Sequence, residues 1–351
     1  MNEWKTMKLS QNIVIFLLII GIIITGSTEH ITIPLMSSFY ESIYFILVIS
    51  TLEGIFNYGL ILIIINKKIP PMKNKSTLVL AGLFSTLMSF FLIYSANPTR
   101  TPVLIQSIFL GLALIPSIIL TKYVLKKLIY YNYKYTIPSL ILLILSVIIA
   151  TTPLYHHLTD TTLWVIGYAL GVFFLSLTNI YQEKYILDTQ DHTFINKIGL
   201  AFYTSVFQFG FIILFCWVEI LFGYNPNPIQ SFINSGYTFA TNWVHFILLQ
   251  LFIFDCLGLY VLSIYLNAIS TNYNMILTNL TNQSVAIFFE IFPSLNHGLK
   301  YSPYIVASSL ILNIISVVLW IKGEVKVESI DSDDTDDIEE KDNINQYGTF
   351  T

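Results

Sequence analysis

The chain has 351 residues, of which 55% are hydrophobic and only 11% are charged. Soluble domains carry roughly 25% charged residues, so this composition excludes an ordinary soluble domain and is typical of a protein with many membrane spans. No stretch has the pattern of a nucleic-acid-binding surface. Cys216 and Cys256 both lie in apolar runs, which predicts small buried side chains rather than a disulfide or a metal site.

Ten apolar segments are long enough to cross a bilayer, which needs about 20 mostly apolar residues per helix. The chain is therefore predicted to be an all-α polytopic membrane protein. Its start resembles a signal peptide, but no small-residue cleavage site follows and apolar character resumes at Ile31, so a retained helix is predicted. The predicted spans are 11–35, 41–65, 77–95, 101–125, 136–153, 163–186, 197–222, 242–266, 270–293 and 302–321.

The basic residues predict the orientation of these spans. If both termini face the cytosol, the outer segments hold only Arg100 and Lys300, and every other Lys and Arg lies in an inner segment. Cytoplasmic loops of membrane proteins are enriched in Lys and Arg, so we expect both termini to be cytosolic.

The ten spans divide into two halves of five, residues 1–153 and 154–322. An odd number of spans per half forces the halves into opposite orientations. Such inverted repeats are the usual architecture of secondary transporters, whose sites lie near the midplane between the repeats. The sequence therefore predicts two inverted five-helix repeats, followed by an acidic tail at 323–351.

The third and fourth spans are joined by a turn of six residues, from Ser95 to Arg100. A turn this short places the two helices antiparallel and side by side. The returning helix carries Thr101, Gln106 and Ser107 among apolar residues. Because polar side chains are costly in hydrocarbon, we expect them to face other helices or a wet cavity. Gln106 is a predicted cavity residue.

The ninth span, 270–293, is the most polar of the ten. Thr271, Asn274, Thr278 and Asn282 recur at helical spacing and share one face. Such a face either makes hydrogen bonds to neighbouring helices or lines a cavity. The crowding of amides and hydroxyls favours the cavity, so Asn274, Thr278 and Asn282 are predicted to contact substrate.

Two carboxyl groups lie in the middle of predicted spans, Glu53 in the second and Asp255 in the eighth. A carboxylate at that depth is costly unless it is paired, hydrated or protonated, and no Lys or Arg lies at the same depth. Both residues are therefore candidates for carrying a coupling proton; the alternative is a protonated acid that only bonds a neighbour. Glu29 either lines the cavity mouth or is solvated. Glu183, near the inner end of the sixth span, could instead pair with Lys184 or be solvated.

Several segments resemble the drug/metabolite transporter superfamily and, within it, the chloroquine-resistance-transporter-like family. The pattern of the third and fourth spans includes Gly82-Leu83-Phe84-Ser85, Tyr94-Ser95-Ala96 and Leu104-Ile105-Gln106-Ser107, followed by Pro116 and Lys126-Lys127. Further similarity lies in Asn179-Ile180-Tyr181-Gln182-Glu183, in Phe252-Ile253-Phe254-Asp255 and in the Thr/Asn-rich ninth span.

This resemblance implies ten spans, cytosolic termini and proton-driven export of cationic drugs, basic amino acids or peptides from acidic vacuoles. It implies that Glu183 and Asp255 occupy acidic positions of the sixth and eighth spans and that Gln106 lines the cavity. Asn179, in the similar segment of the sixth span, is a further predicted cavity residue. The sequence departs from the family at Ser85, where some members have an acidic residue. It also lacks cysteines in the outer loop predicted at 223–241.

The tail has too little apolar surface to bury, so residues 323–351 are predicted to be disordered and cytosolic. Tyr347 and Phe350 have the Tyr-x-x-bulky spacing that endosomal sorting adaptors read. Such a short match also occurs by chance.

The preferred function is a secondary transporter, coupled to protons through Glu53, Glu183 and Asp255, that moves small neutral or cationic metabolites out of an acidic organelle. We expect it in a vacuolar, lysosomal or endosomal membrane, with the lipid bilayer and a small-molecule substrate as partners and no cofactor. A nucleotide-sugar or other phosphorylated-metabolite antiporter is the alternative, although it would need a cation in the path. An enzyme would need clustered catalytic groups, and a scaffold would not explain the buried carboxyls.

Overall fold

The computed structural model describes residues 2–126, 132–153, 158–221, 227–268, 271–292 and 301–323. These residues form thirteen α-helices, and no strand occurs among them. The helices are α1 (Asn2–Phe39), α2 (Ile43–Asn66), α3 (Lys75–Ser95), α4 (Val103–Gly111), α5 (Leu114–Val124), α6 (Tyr133–Thr151), α7 (Leu158–Thr189), α8 (Phe194–Leu214), α9 (Val218–Leu221), α10 (Pro228–Thr241), α11 (Trp243–Asn267), α12 (Thr271–Ile291) and α13 (Pro303–Gly323).

Nine candidate spans occur in the described part of the chain, namely α1, α2, α3, α4 together with α5, α6, α7, α8, α11 and α13. The tenth predicted span corresponds to α12, which has the required 21 residues. Its Thr, Asn and Gln residues make it less apolar than the other nine. The expected class, an all-helical polytopic membrane protein, is confirmed; the tenth crossing stays a prediction.

The distribution of side chains is that of a bundle surrounded by lipid. Phe56, Ile64 and Leu163 are 68%, 68% and 67% exposed, whereas small hydroxyl residues such as Ser176 and Thr204 are fully buried. Water would penalise exposed side chains of this size, but lipid tails do not. The small polar residues allow close helix approach and bond neighbouring backbone, as Ser176 Oγ does to the Ala113 carbonyl at 2.9 Å.

The fourth predicted span, 101–125, is broken into α4 and α5. The amide of Leu112 bonds the Phe109 carbonyl at 2.9 Å and that of Ile115 bonds the Leu112 carbonyl at 3.0 Å, so the chain tightens into i to i−3 bonds here. Pro116 has no N–H to bond the Leu112 carbonyl and its ring crowds that carbonyl, which explains the break. The predicted span is confirmed as Val103–Val124, and the structure adds a break within it that the sequence analysis did not predict.

Two other predicted boundaries are corrected where α8 ends. The seventh span was predicted to reach residue 222, but α8 ends at Leu214 and is followed by a turn and α9. The buried carboxylate of Glu219 on α9 accepts hydrogen bonds from Ser42 Oγ and the Tyr44 amide, both at 3.1 Å, and so caps the start of α2. The outer segment predicted as a loop contains α10.

The most extensive helix contacts join the two predicted halves of the chain. Helix α3 packs along α7, α1 along α11, α2 along α8 and α6 along α13. Helix α12 packs against α1, α4 and α5. The two halves therefore share one core, and the space between them is enclosed by helices of both.

At the end of the bundle opposite α10, the α2–α3 and α7–α8 loops are joined by an ion pair. Lys73 Nζ lies 3.0 Å from Asp191 Oδ2. Hydrogen bonds from Thr193 and Lys73 lower the pKa of Asp191 from its usual 3.8 to about 2. The bonds that Asp191 accepts from Thr193 and Lys73 therefore contribute above pH 3.8, and their contribution is lost as the pH falls through about 2. Lys73 is exposed and Asp191 is only partly buried, so solvent screens the pair and makes this contribution small.

Gly82 on α3 is required by the close approach of α8. A Cβ atom added at Gly82 would lie 2.5 Å from Phe207 Cβ and 3.1 Å from the Gln208 amide nitrogen. We expect Gly82→Ala to force α3 and α8 apart and to destabilise the protein by about 1–3 kcal/mol, as overpacked cores do. Thermal unfolding in detergent measures this as a lower midpoint.

Gly210, further along α8, provides the matched control because a Cβ added there meets nothing within 4 Å. Gly210→Ala should leave the unfolding midpoint unchanged or raise it slightly, since Ala favours the helix over Gly. Equal midpoints for the two variants would contradict the described α3–α8 packing.

Candidate functional site

A cavity of about 190 Å³ lies inside the helix bundle. Its wall is formed by α1, α2, α3 and α4 of the first half and by α7, α8, α11 and α12 of the second. Polar groups from each half face it, including Thr51 and Ser85 from one and Ser205 and Ser263 from the other. The wall is mainly apolar, and an internal space of this kind with a few polar groups is suited to hold a small molecule that has both apolar and polar parts.

Glu29 on α1 contributes a carboxyl group to the described cavity wall. It lies beside His30 and opposite Cys256 of α11, whose thiol is within hydrogen-bonding reach of the carboxyl group. Its Oε2 atom is buried and makes no hydrogen bond to the described residues. Asp255 is close enough to interact electrostatically with Glu29. A buried carboxyl oxygen without a partner is a group that a proton, a water molecule or a substrate can satisfy.

A cluster of four carboxamides closes one end of the cavity wall. The Asn267 amide nitrogen donates to Asn179 Oδ1 at 2.7 Å and to Gln182 Oε1 at 2.8 Å. The Asn274 amide nitrogen donates to Asn267 Oδ1 at 2.9 Å, and all four side chains are buried. These bonds join α7, α11 and α12. Asn274 Oδ1 makes no hydrogen bond to the described residues, so it is a second buried oxygen on the cavity wall without a partner.

Glu183 lies next to this cluster and caps α12. Its Oε2 atom accepts a hydrogen bond from the Thr271 amide at 2.9 Å and from the Thr271 hydroxyl at 2.5 Å. Helix N-termini attract negative groups because their first N–H groups lack intrahelical partners. Glu183 is 3% exposed and does not belong to the described cavity lining, so solvation, one of the predicted alternatives, is excluded.

Four of the five predicted cavity residues line the cavity: Gln106, Asn179, Asn274 and Thr278. The side chain of the fifth, Asn282, lies outside the described part of the structure. Tyr347 and Phe350, predicted as a sorting signal, also lie outside the described residues.

Gln106 has a structural role in addition to its place on the wall. Its amide nitrogen donates to the Ala96 carbonyl at 2.7 Å and to the Thr101 carbonyl at 2.6 Å. Those two carbonyls flank the turn between α3 and α4. Gln106 therefore closes the tight turn that the sequence predicts, because its amide nitrogen donates both hydrogen bonds to backbone carbonyls of that turn.

The two mid-span acids predicted for proton coupling, Glu53 and Asp255, lie outside the described cavity lining. Glu53 is half-buried and accepts a hydrogen bond from the Gln250 amide at 2.8 Å. This contact agrees with the alternative that the sequence left open, an acid that only bonds a neighbour, and the neighbour is an amide on α11. Asp255 is also half-buried, and its Oδ2 atom makes no hydrogen bond to the described residues.

Sequence reasoning underestimated Glu29. Helix α1 was predicted to end near residue 35, but it continues to Phe39 through Pro34. Four further residues place Glu29 about 6 Å farther from the helix end than expected. An apolar stretch that resumes after Glu29, at Ile31 to Leu35, was the signal that could have revealed this.

The electrostatic character of the wall follows from its composition. Glu29 is acidic, and the described lining contains no Lys or Arg. Aromatic rings of Tyr58, Tyr168 and Tyr260 form part of the same wall. The arrangement can hold a neutral or positively charged molecule, because ring faces and a carboxyl group both favour cations.

Comparison with known proteins adds no assignment to this geometry. No protein-family model matches the chain, and no curated protein matches it either.

Proposed function

We propose that this chain is a secondary transporter of small neutral or cationic metabolites, a member of the drug/metabolite transporter superfamily that is similar to the chloroquine-resistance-transporter-like branch. The observation that carries the proposal is the cavity itself. Both halves contribute polar groups to it, and Glu29 and Asn274 each present a buried oxygen without a hydrogen-bond partner among the described residues. Such groups are costly in a membrane protein unless a ligand, water or proton satisfies them.

The pairing of helices supports two inverted repeats. If the five spans of the first half correspond in order to those of the second, α1 corresponds to α7 and α3 corresponds to α11. The contact between α3 and α7 then corresponds to the contact between α11 and α1. Both of these contacts are extensive. Helix α2 corresponds to α8 and α6 corresponds to α13, so each of these two contacts joins a helix to its own counterpart in the other half. A two-fold relation between halves requires this pattern, and transporters built in this way hold substrate between the repeats.

The absence of a cation from the described lining disfavours the alternative, an antiporter of nucleotide sugars or other phosphorylated metabolites. Phosphate groups are usually bound by Arg or Lys through charge-assisted hydrogen bonds. The carboxyl group of Glu29 would repel such a substrate. We therefore propose amines, amino acids and small peptides as the substrate class.

Uptake into proteoliposomes tests this proposal. A panel of radiolabelled amines, amino acids and peptides is presented with the outside either acidified or matched in pH to the lumen. We expect at least one member of the panel to accumulate in response to the gradient. Ser263→Leu should reduce this uptake strongly, because the added side chain fills part of the cavity whose wall Ser263 forms.

Ser308→Leu on α13 is the matched control, since Ser308 is partly buried but bonds its own helix at the Ile305 carbonyl and lies outside the described lining. It should transport normally. Full uptake by a folded Ser263→Leu protein would contradict the proposed path, and turnover of a substrate into a product in detergent would indicate an enzyme instead.

A further inference from the structure

Helix α10 carries an exposed row of large apolar side chains. Ile229, Ile233 and Tyr237 are 78%, 57% and 70% exposed. They are spaced by four residues, so they lie on one face of the helix. With 14 residues, α10 is too short to cross a bilayer.

The opposite face of α10 packs on the protein. The Ser42 amide donates to the buried Ser235 Oγ at 2.9 Å. The rings of Phe232 and Phe239 contact Phe45 of α2, with centroids 5.3 and 5.9 Å apart. These contacts fix the rotation of α10, so the row of Ile229, Ile233 and Tyr237 must point away from the bundle.

A third face of α10 is polar. Gln230 Nε2 donates to Asn234 Oδ1 at 2.9 Å, and the Asn234 amide donates to Glu41 Oε2 at 2.9 Å. Gln230 is exposed. The helix thus has a protein-facing side, an exposed apolar side and an exposed polar side, which is the arrangement of a helix that lies at a boundary between hydrocarbon and water.

The apolar face continues into a spanning helix. Asn242 alone separates α10 from α11, which begins with exposed Trp243 and carries exposed Ile247, Leu251 and Phe254 at helical spacing. Because α11 is a candidate span, this row faces lipid. Trp and Tyr side chains are enriched where membrane meets water, as Trp243 and Tyr237 are placed here.

We infer that α10 is an interfacial helix whose apolar side chains, Ile229, Ile233 and Tyr237, lie in the boundary between lipid headgroups and acyl chains. Through Ser235 it holds the first residues of α2 at that depth. The polar side of α10 carries amides and hydroxyls and no Lys or Arg. Its attachment therefore depends on buried apolar area and not on anionic lipid.

An environment-sensitive fluorescent amino acid, placed at 233 or at 230 in the full chain, tests this inference in zwitterionic liposomes. A helix of this kind lies about 5–10 Å into the boundary. We expect the probe at 233 to emit at shorter wavelength and to lose most of its fluorescence to lipids spin-labelled near the headgroup. Lipids labelled at the acyl-chain end should quench it less. The probe at 230 should emit as in water and lose little fluorescence.

A probe at 237 repeats the measurement on the same face and should behave like the probe at 233. Adding anionic lipid should leave all three signals unchanged. Equal quenching at 233 and 230, or stronger quenching from the acyl-chain end, would overturn the inference. So would a blue-shifted probe at 233 that no lipid quenches, because that result means that protein, such as a second copy of the chain, covers the face.

Discussion

Replacing Glu29 by Gln is expected to abolish substrate accumulation driven by a pH gradient, while exchange of labelled for unlabelled substrate continues. Glu29 has a buried carboxyl oxygen on the cavity wall, without a hydrogen-bond partner among the described residues. If this group carries the coupling proton, a Gln amide mimics the protonated form permanently, so the gradient can no longer drive transport. Parallel measurements of accumulation and exchange in proteoliposomes separate the two steps.

Glu53→Gln is the matched control, because Glu53 bonds Gln250 and lies outside the described cavity lining. It should accumulate substrate normally. Asp255→Asn should weaken accumulation without abolishing it, since Asp255 interacts electrostatically with Glu29 but does not belong to the described lining. Normal accumulation by Glu29→Gln, with loss in Asp255→Asn and Glu53→Gln, would return the coupling role to the two acids that the sequence favours.

Glu183→Ala is expected to give the largest loss of stability among the polar residues near the cavity. The change leaves the Thr271 amide and hydroxyl, both donors to Glu183 Oε2, without their acceptor in a buried place. Hydrogen bonds to charged groups contribute about 1.5–3 kcal/mol. The variant should therefore unfold at a clearly lower temperature in detergent and transport poorly. Glu183→Gln, which keeps an acceptor oxygen, should be less affected.

Lys184→Ala distinguishes this cap from an ion pair between neighbouring residues. Lys184 is half-buried, and its ammonium lies 5.9 Å from the ring centroid of Tyr181. If Glu183 acts by capping α12, removal of Lys184 should leave the unfolding temperature close to that of the parent protein. Similar losses in Glu183→Ala and Lys184→Ala would favour the pairing that the sequence left open.

The sequence by itself determined the class of the protein and most of its helices. A run of about 20 apolar residues has few alternatives to a spanning helix, because backbone groups in hydrocarbon must bond within their own segment. The tight turn between α3 and α4 followed from the six residues between two such runs. Gln106, Asn274 and Thr278, which the sequence predicts to face a cavity because polar side chains in a span avoid lipid, line the described cavity, and their contact with substrate stays a prediction.

The tertiary structure decided which polar groups meet and which carboxyl group faces the cavity. Glu53 bonds Gln250 across 197 positions, and Glu183 bonds Thr271 across 88. Each contact depends on how far one helix is rotated and shifted along its neighbour. An apolar pattern restricts that rotation only loosely in lipid, where the outer face needs no polar residues. The local sequence determines the length of a helix, but the partner of a buried carboxyl group depends on packing between helices that are distant in the chain.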